Sequence, residues 1–199
     1  MYFPQIKYVL IFCIPILYVC SCSSPKKTDR KYTYFGGEIV NPNTDYIVLT
    51  KDTCLIDTIY LDKNNKFLHR LKDFEEGLYS FKHNPENQLV ILEKGDSILI
   101  RLNTLEFDES LVFTGDGARK NNFLIDMFLE NETEIEQLKK RDFRLPPLQF
   151  KNKQDSLLNL RIKRFDKLTH KYGLSNLSKK ICKSSFNYDF YSRYEMYYY

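Results

Sequence analysis

Between residues 32 and 118 apolar and polar side chains alternate in short runs, the pattern of strands with one buried face. In the run 97–103, Ile98, Ile100 and Leu102 share one face, while Leu99 and Arg101 take the other. Comparable runs occupy 34–40, 46–50, 55–61, 66–71, 77–83, 88–92 and 111–114. Turn chemistry separates them: Asn41-Pro42-Asn43, Asp62-Lys63-Asn64-Asn65, Lys94-Gly95-Asp96 and Gly115-Asp116-Gly117. Asn tolerates positive φ and Gly adopts it freely, so these are sites for tight reversals. Short strands at this spacing predict an antiparallel β-sandwich or small barrel.

After Gly117 the period becomes helical. Leu124, Met127, Phe128, Asn131, Ile135 and Leu138 recur at three- and four-residue steps, and Pro146-Pro147 ends that pattern. A second helix is predicted from about Gln154, with Leu158, Ile162, Phe165 and Leu168 or Thr169 on one side and Gly173 as its C-cap. A third begins at Ser175 as N-cap and places Leu177, Ile181, Tyr188, Tyr191, Tyr194 and Tyr198 on one side. The fold class is therefore α+β, a β domain over 32–118 followed by about three helices over 119–199. The third helix stops within its own aromatic pattern, so the helical region reads as truncated, with a tyrosine face that wants a partner.

The first 31 residues belong to neither part. Lys7 stands before an apolar run over 8–19, and the segment 1–21 has the layout of a signal peptide, too short to span a bilayer comfortably. Val19-Cys20-Ser21-Cys22 resembles a bacterial lipobox, with an aliphatic residue three before the cysteine and a small one just before it. Cys22 is then the lipidation site and the first mature residue. Residues 22–31 are polar and charged with nothing to bury, a lipidated tether.

Composition narrows the function. The chain of 199 residues is 43% hydrophobic and 28% charged with seven Gly and seven Pro, which marks a globular protein. Its net charge of +4 comes from 30 basic and 26 acidic side chains interleaved along the chain, and neither half is strongly basic. Nucleic-acid binding needs a clustered basic face, so no nucleic-acid partner is expected. With Cys13 and Cys20 removed in the signal and Cys22 acylated, Cys54 and Cys182 remain. They form no C-x-x-C pair and have no His at ligand spacing, so neither a metal nor a redox dithiol is implied, and both are expected as buried thiols rather than a disulfide.

The β segment resembles the N-terminal domain of many envelope lipoproteins of the Bacteroides group that continue into a thioredoxin-like domain of the TlpA/ResA/AhpC-TSA kind. The residues that carry the resemblance are Gly37-Glu38-Ile39-Val40-Asn41-Pro42, Ile56-Asp57-Thr58-Ile59-Tyr60-Leu61, Gly77-Leu78-Tyr79, Leu92-Glu93-Lys94-Gly95-Asp96-Ser97, and Phe113-Thr114-Gly115-Asp116-Gly117-Ala118 with Asn121-Asn122. In that family the helices lead into a fold bearing a W-C-x-x-C site. This chain has no Trp and no counterpart of those catalytic residues. The resemblance implies a non-catalytic accessory module, lipid-anchored and facing the periplasm from the outer membrane. Its partners would be the membrane and a thioredoxin-like domain or envelope protein on the helical face. A stand-alone ligand- or protein-binding lipoprotein is the alternative.

Glu75-Glu76, Glu93 with Asp96, and Glu106, Asp108 and Glu109 are carboxylate groups of the kind used in paired acid–base work, but ordinary solvated turns are the better account. His69, His83 and His170 stand apart from any nucleophile motif and are expected at surface or half-buried positions. Gly115-Asp116-Gly117-Ala118-Arg119-Lys120 lacks the phosphate-loop pattern and reads as a strand-to-helix turn. No catalytic residue and no cofactor are expected.

Overall fold

A computed structural model describes residues 32–198. The predicted signal peptide, Cys22 and the tether lie outside the described residues.

Eight strands form two four-stranded sheets. The first has the order β4-β1-β7-β8, built from β1 (Thr33–Val40), β4 (Lys66–Leu71), β7 (Ser97–Asn103) and β8 (Val112–Asp116). The second has the order β3-β2-β5-β6, built from β2 (Tyr46–Lys51), β3 (Cys54–Tyr60), β5 (Gly77–His83) and β6 (Glu86–Leu92). The expected β-sandwich is present. Its strand pairs are antiparallel except β1 with β7, which run parallel from Tyr34↔Ser97 to Val40↔Asn103.

Inward-facing residues of both sheets interdigitate. Phe35 of β1 lies 5.6 Å, ring to ring, from Phe81 of β5, and Phe81 meets Phe113 of β8 edge-on at 6.5 Å. Ile98, Ile100 and Leu102 are all buried, as the alternation predicts. Each such side chain contributes about 1.5–3 kcal/mol through removal from water. The turns use the predicted chemistry: Asn41 and Asn65 have φ of 54° and 59°, and the Asp62 carboxylate accepts the N–H groups of Asn64 at 2.7 Å and Lys66 at 2.9 Å.

Four α-helices follow the seventh strand in the chain. The short α1 (Phe107–Ser110), which periodicity does not reveal, bridges β7 and β8 and buries Phe107 against the sandwich. The long ones are α2 (Ala118–Lys140), α3 (Pro147–Tyr172) and α4 (Asn176–Tyr198). The second predicted helix starts earlier than periodicity suggests, because Pro147 occupies its first turn, where a missing N–H costs nothing. Gly173 caps α3 in the left-handed conformation, and the Ser175 hydroxyl accepts the Ser178 N–H at 3.0 Å, as expected for both ends.

The long helices cover the outer face of the second sheet. Leu78 and Ile91, paired across β5 and β6, point away from the sandwich; Ile91 is buried with Phe123, Met127, Phe165, Cys182 and Phe186, and Leu78 packs against that cluster. A strand segment buried on both faces reads as a continuous apolar run, which explains Val90-Ile91-Leu92, whereas Leu89 before it is exposed.

Tyr188, Tyr191 and Tyr198, on the row read as a tyrosine face that wants a partner, are 75%, 67% and 74% exposed, and the buried residues of α4 are Ser178, Cys182, Phe186, Phe190 and Arg193. Phe and Tyr follow interleaved helical rows, and the phenol, which tolerates water, takes the outer one.

Candidate functional site

The turn between β8 and α2 places three consecutive side chains where the sheets and helices meet. Gly117 adopts φ of 95° at the start of α2, and a Cβ there would stand 2.7 Å from the Asp96 carboxylate. Glycine therefore lets α2 begin directly against the β6–β7 turn. Lys120 follows, 3% exposed, with its ammonium 2.5 Å from Glu93 Oε2 and 2.6 Å from Asp96 Oδ2. The second helix to reach this point is α4: Ser178 donates to Glu93 Oε2 at 2.7 Å, and Ser175 donates to Glu93 Oε1.

The next two residues close sheet edges. Asn121 accepts the Ile91 N–H at 2.6 Å and donates to the Ile91 carbonyl at 3.0 Å, on edge strand β6. Asn122 accepts the Phe113 N–H at 2.9 Å and donates to its carbonyl at 2.8 Å, on edge strand β8. Each amide thus supplies the donor and acceptor of a neighbouring strand.

The environments of the two carboxylates differ. Burial pushes the Asp96 carboxyl up to about 6, against the pull of Lys120 and the Glu93 N–H. Burial also acts to raise Glu93, but hydrogen bonds from Lys120, Ser175 and Ser178 outweigh it and hold that group below the usual range. Such divergence suits acid–base chemistry in an open cleft. Here both carboxylates turn toward Lys120 and hold the sheet to the helices. A cleft of ≈ 680 Å³ borders the same turn through Lys94 and Gly95, with Tyr32, Leu71 and Phe74 on its other sides.

The remaining sequence candidates are scattered. Glu75 pairs with Lys51 at 2.8 Å on the surface, Glu76 accepts the Lys94 N–H at 2.7 Å, and Asp108 accepts from Gln88 at 2.9 Å; Glu106 and Glu109 are exposed. His69 stands 3.4 Å from Asp57, and His170 is exposed. His83, expected at the surface or half-buried, is fully buried: Nε2 accepts the Asn43 N–H at 2.9 Å and Nδ1 lies 3.1 Å from the Tyr46 carbonyl. Burial lowers its affinity for a second proton, consistent with one nitrogen donating and the other accepting. Cys182 is buried as expected. Cys54 is exposed, because it opens edge strand β3 beside the Asp52 turn; both are free thiols. Among the described residues no group of three His, Cys, Asp or Glu could hold a metal.

A second polar cluster escapes sequence reasoning. Arg193 of α4 is fully buried and donates to Asn131 and Glu134, each at 2.5 Å, and to Gln154 at 3.2 Å. Arg161 of α3 shares the same Glu134 oxygen at 2.7 Å. The Phe190 ring lies 4.2 Å from the Arg193 guanidinium carbon and 5.0 Å from that of Arg161. Arginine in an exposed-looking pattern counts as surface in a sequence, and only its spacing from Phe186 and Phe190 marks the inner face.

Compared with protein-family models, curated proteins and solved structures, the chain matches none.

Proposed function

We propose that this protein is a non-catalytic lipoprotein of the bacterial cell envelope, anchored through Cys22 to the periplasmic side of the outer membrane. The observation that carries the reading is Val19-Cys20-Ser21-Cys22 at the end of an apolar run, with nine residues between Cys22 and the folded part at Tyr32. Several acyl chains attach a protein stably, since each buried CH₂ contributes about 0.8 kcal/mol. Among the described residues no helix is long and apolar enough to cross a membrane, so attachment through the folded part by a spanning helix has no candidate. The sandwich and helices then act as an accessory module, like the N-terminal domains that precede thioredoxin-like domains in the proteins it resembles. The use of Glu93, Asp96 and Lys120 to hold elements together supports the non-catalytic part of this reading.

A ligand-binding role is the second reading, supported by the cleft of ≈ 680 Å³ beside Lys94 and Gly95. Intact-mass analysis of protein from native membranes, with a Cys22→Ser control, tests the anchor. The expected product begins at an acylated Cys22 and loses its membrane association in the variant. An unacylated product indifferent to Cys22→Ser overturns the proposal.

A further inference from the structure

Charge in this protein is segregated in a way that a half-by-half count hides. Residues 147–199 hold 11 Lys and Arg against 4 Asp and Glu, a net +7, so the rest of the chain carries −3 of the total +4. That segment is the α3–α4 hairpin. Its two helices run antiparallel: the Tyr194 hydroxyl donates to Asp155 at 2.8 Å, Phe165 meets Phe186 at 5.8 Å, and Asp166 faces Lys183 at 3.7 Å. This register sets Leu160 level with Tyr191 and Lys163 level with Tyr188. Leu160 is 55% exposed, and with Tyr188, Tyr191 and Tyr198 it forms an outward apolar and phenolic stripe, in which the exposed Glu195 is the acidic member of the α4 rows. Lys163, Lys167 and Lys180 are exposed and have no ion-pair partner among the described residues.

We propose that this face of the hairpin docks on an anionic lipid surface. Tyrosine suits a headgroup layer, with an apolar ring and a wet hydroxyl. Lysines beside it strengthen partition about fivefold each through the negative surface potential. Lysine is depleted at protein–protein interfaces, which makes a protein partner the poorer fit. The inference builds on the anchored reading. Thr33 donates to the Glu93 carbonyl at 3.3 Å, and the Glu93 side chain meets the start of α4, so the described part begins beside that helix. Ten residues reach at most about 35 Å, and α4 is about as long, so an anchored chain brings the whole stripe within reach of the bilayer.

The chain has no Trp, so Tyr191→Trp is a single reporter. In the mature chain bearing Cys22→Ser, its emission should shift to the blue and be quenched by brominated lipid on phosphatidylethanolamine vesicles containing phosphatidylglycerol, and the shift should fade as salt rises. A reporter at Tyr60→Trp, on exposed edge strand β3, should not respond. Replacing Lys163, Lys167 and Lys180 together by Gln should lower the partition coefficient roughly a hundredfold while the circular dichroism is unchanged. Equal binding to neutral vesicles, no binding, or indifference to the three substitutions overturns the proposal. A blue shift that grows with protein concentration without vesicles overturns it too and assigns the face to a second copy. Failure of acylation at Cys22 would show in the mass measurement and leave this result standing.

Discussion

Asn121 and Asn122, adjacent in the chain, hydrogen-bond the free edges of opposite sheets, one at Ile91 and the other at Phe113. One turn of helix therefore fixes the spacing of the two layers at that end. Asn121 is fully buried, so its loss leaves a strand N–H and carbonyl without partners. Asn121→Ala should destabilise by about 2–4 kcal/mol, and Asn122→Ala, half-exposed, by about 1–2 kcal/mol. Urea denaturation followed by circular dichroism measures both; equal small effects would mean that water replaces the amides without cost.

The raised Asp96 carboxyl predicts a definite sign of pH dependence. Its folded value of about 6 lies above the ordinary 3.8, so the folded state takes up a proton as pH falls through 6. The stabilisation this gives is complete below about 3.8 and is lost as pH rises through 6. Glu93 acts oppositely below its ordinary range, and His83 acts oppositely below 6.5, so the variant must be read against the parent. Asp96→Asn should gain stability relative to the parent between pH 5 and 7, on the order of 2 kcal/mol. A difference that does not change across that interval would show that Asp96 is ionised in both states.

Glu134 is the shared carboxylate of two buried guanidiniums. Glu134→Ala should cost about 3–5 kcal/mol, because Arg161 and Arg193 then face each other with little compensation. Replacing only Arg193 by Met should cost less, since Arg161 still pairs with Glu134. Thermal unfolding of both variants gives the order, and the reverse order would mean that Asn131 and Gln154 suffice to hold Arg193.

The two thiols should differ in reactivity. Cys182 is buried and its thiol is pushed up to about 12 by burial, whereas Cys54 is exposed. Alkylation of the folded protein followed by peptide mapping should label Cys54 promptly and leave Cys182 unlabelled until denaturant is added. Labelling of both at similar rates would indicate that α4 opens readily.

Much of this architecture was legible along the chain. Strand positions such as 66–71, 77–83 and 97–103 match the observed elements, because a period of two and turn residues such as Asn65 and Gly95 act over a few bonds. Helix ends at Gly173 and Ser175 were equally local, since caps answer to backbone groups within one turn. The junction was only half legible. Glu93, Asp96 and Lys120 were each visible as chemistry, but as carboxylates in a turn and a base after a glycine, with nothing to say that one ammonium serves both.

What tertiary packing alone decided were the choices in which two local patterns compete. The rows of Phe and of Tyr on α4 are both periodic, and the inner one was selected by Phe165 on α3 and Ile91 on β6, residues far away in the sequence. The parallel pairing of β1 with β7 and the burial of Arg193 depend likewise on contacts across about sixty residues. Alternation and capping are written into neighbouring residues, whereas partner choice is settled by which distant surfaces can exclude water together.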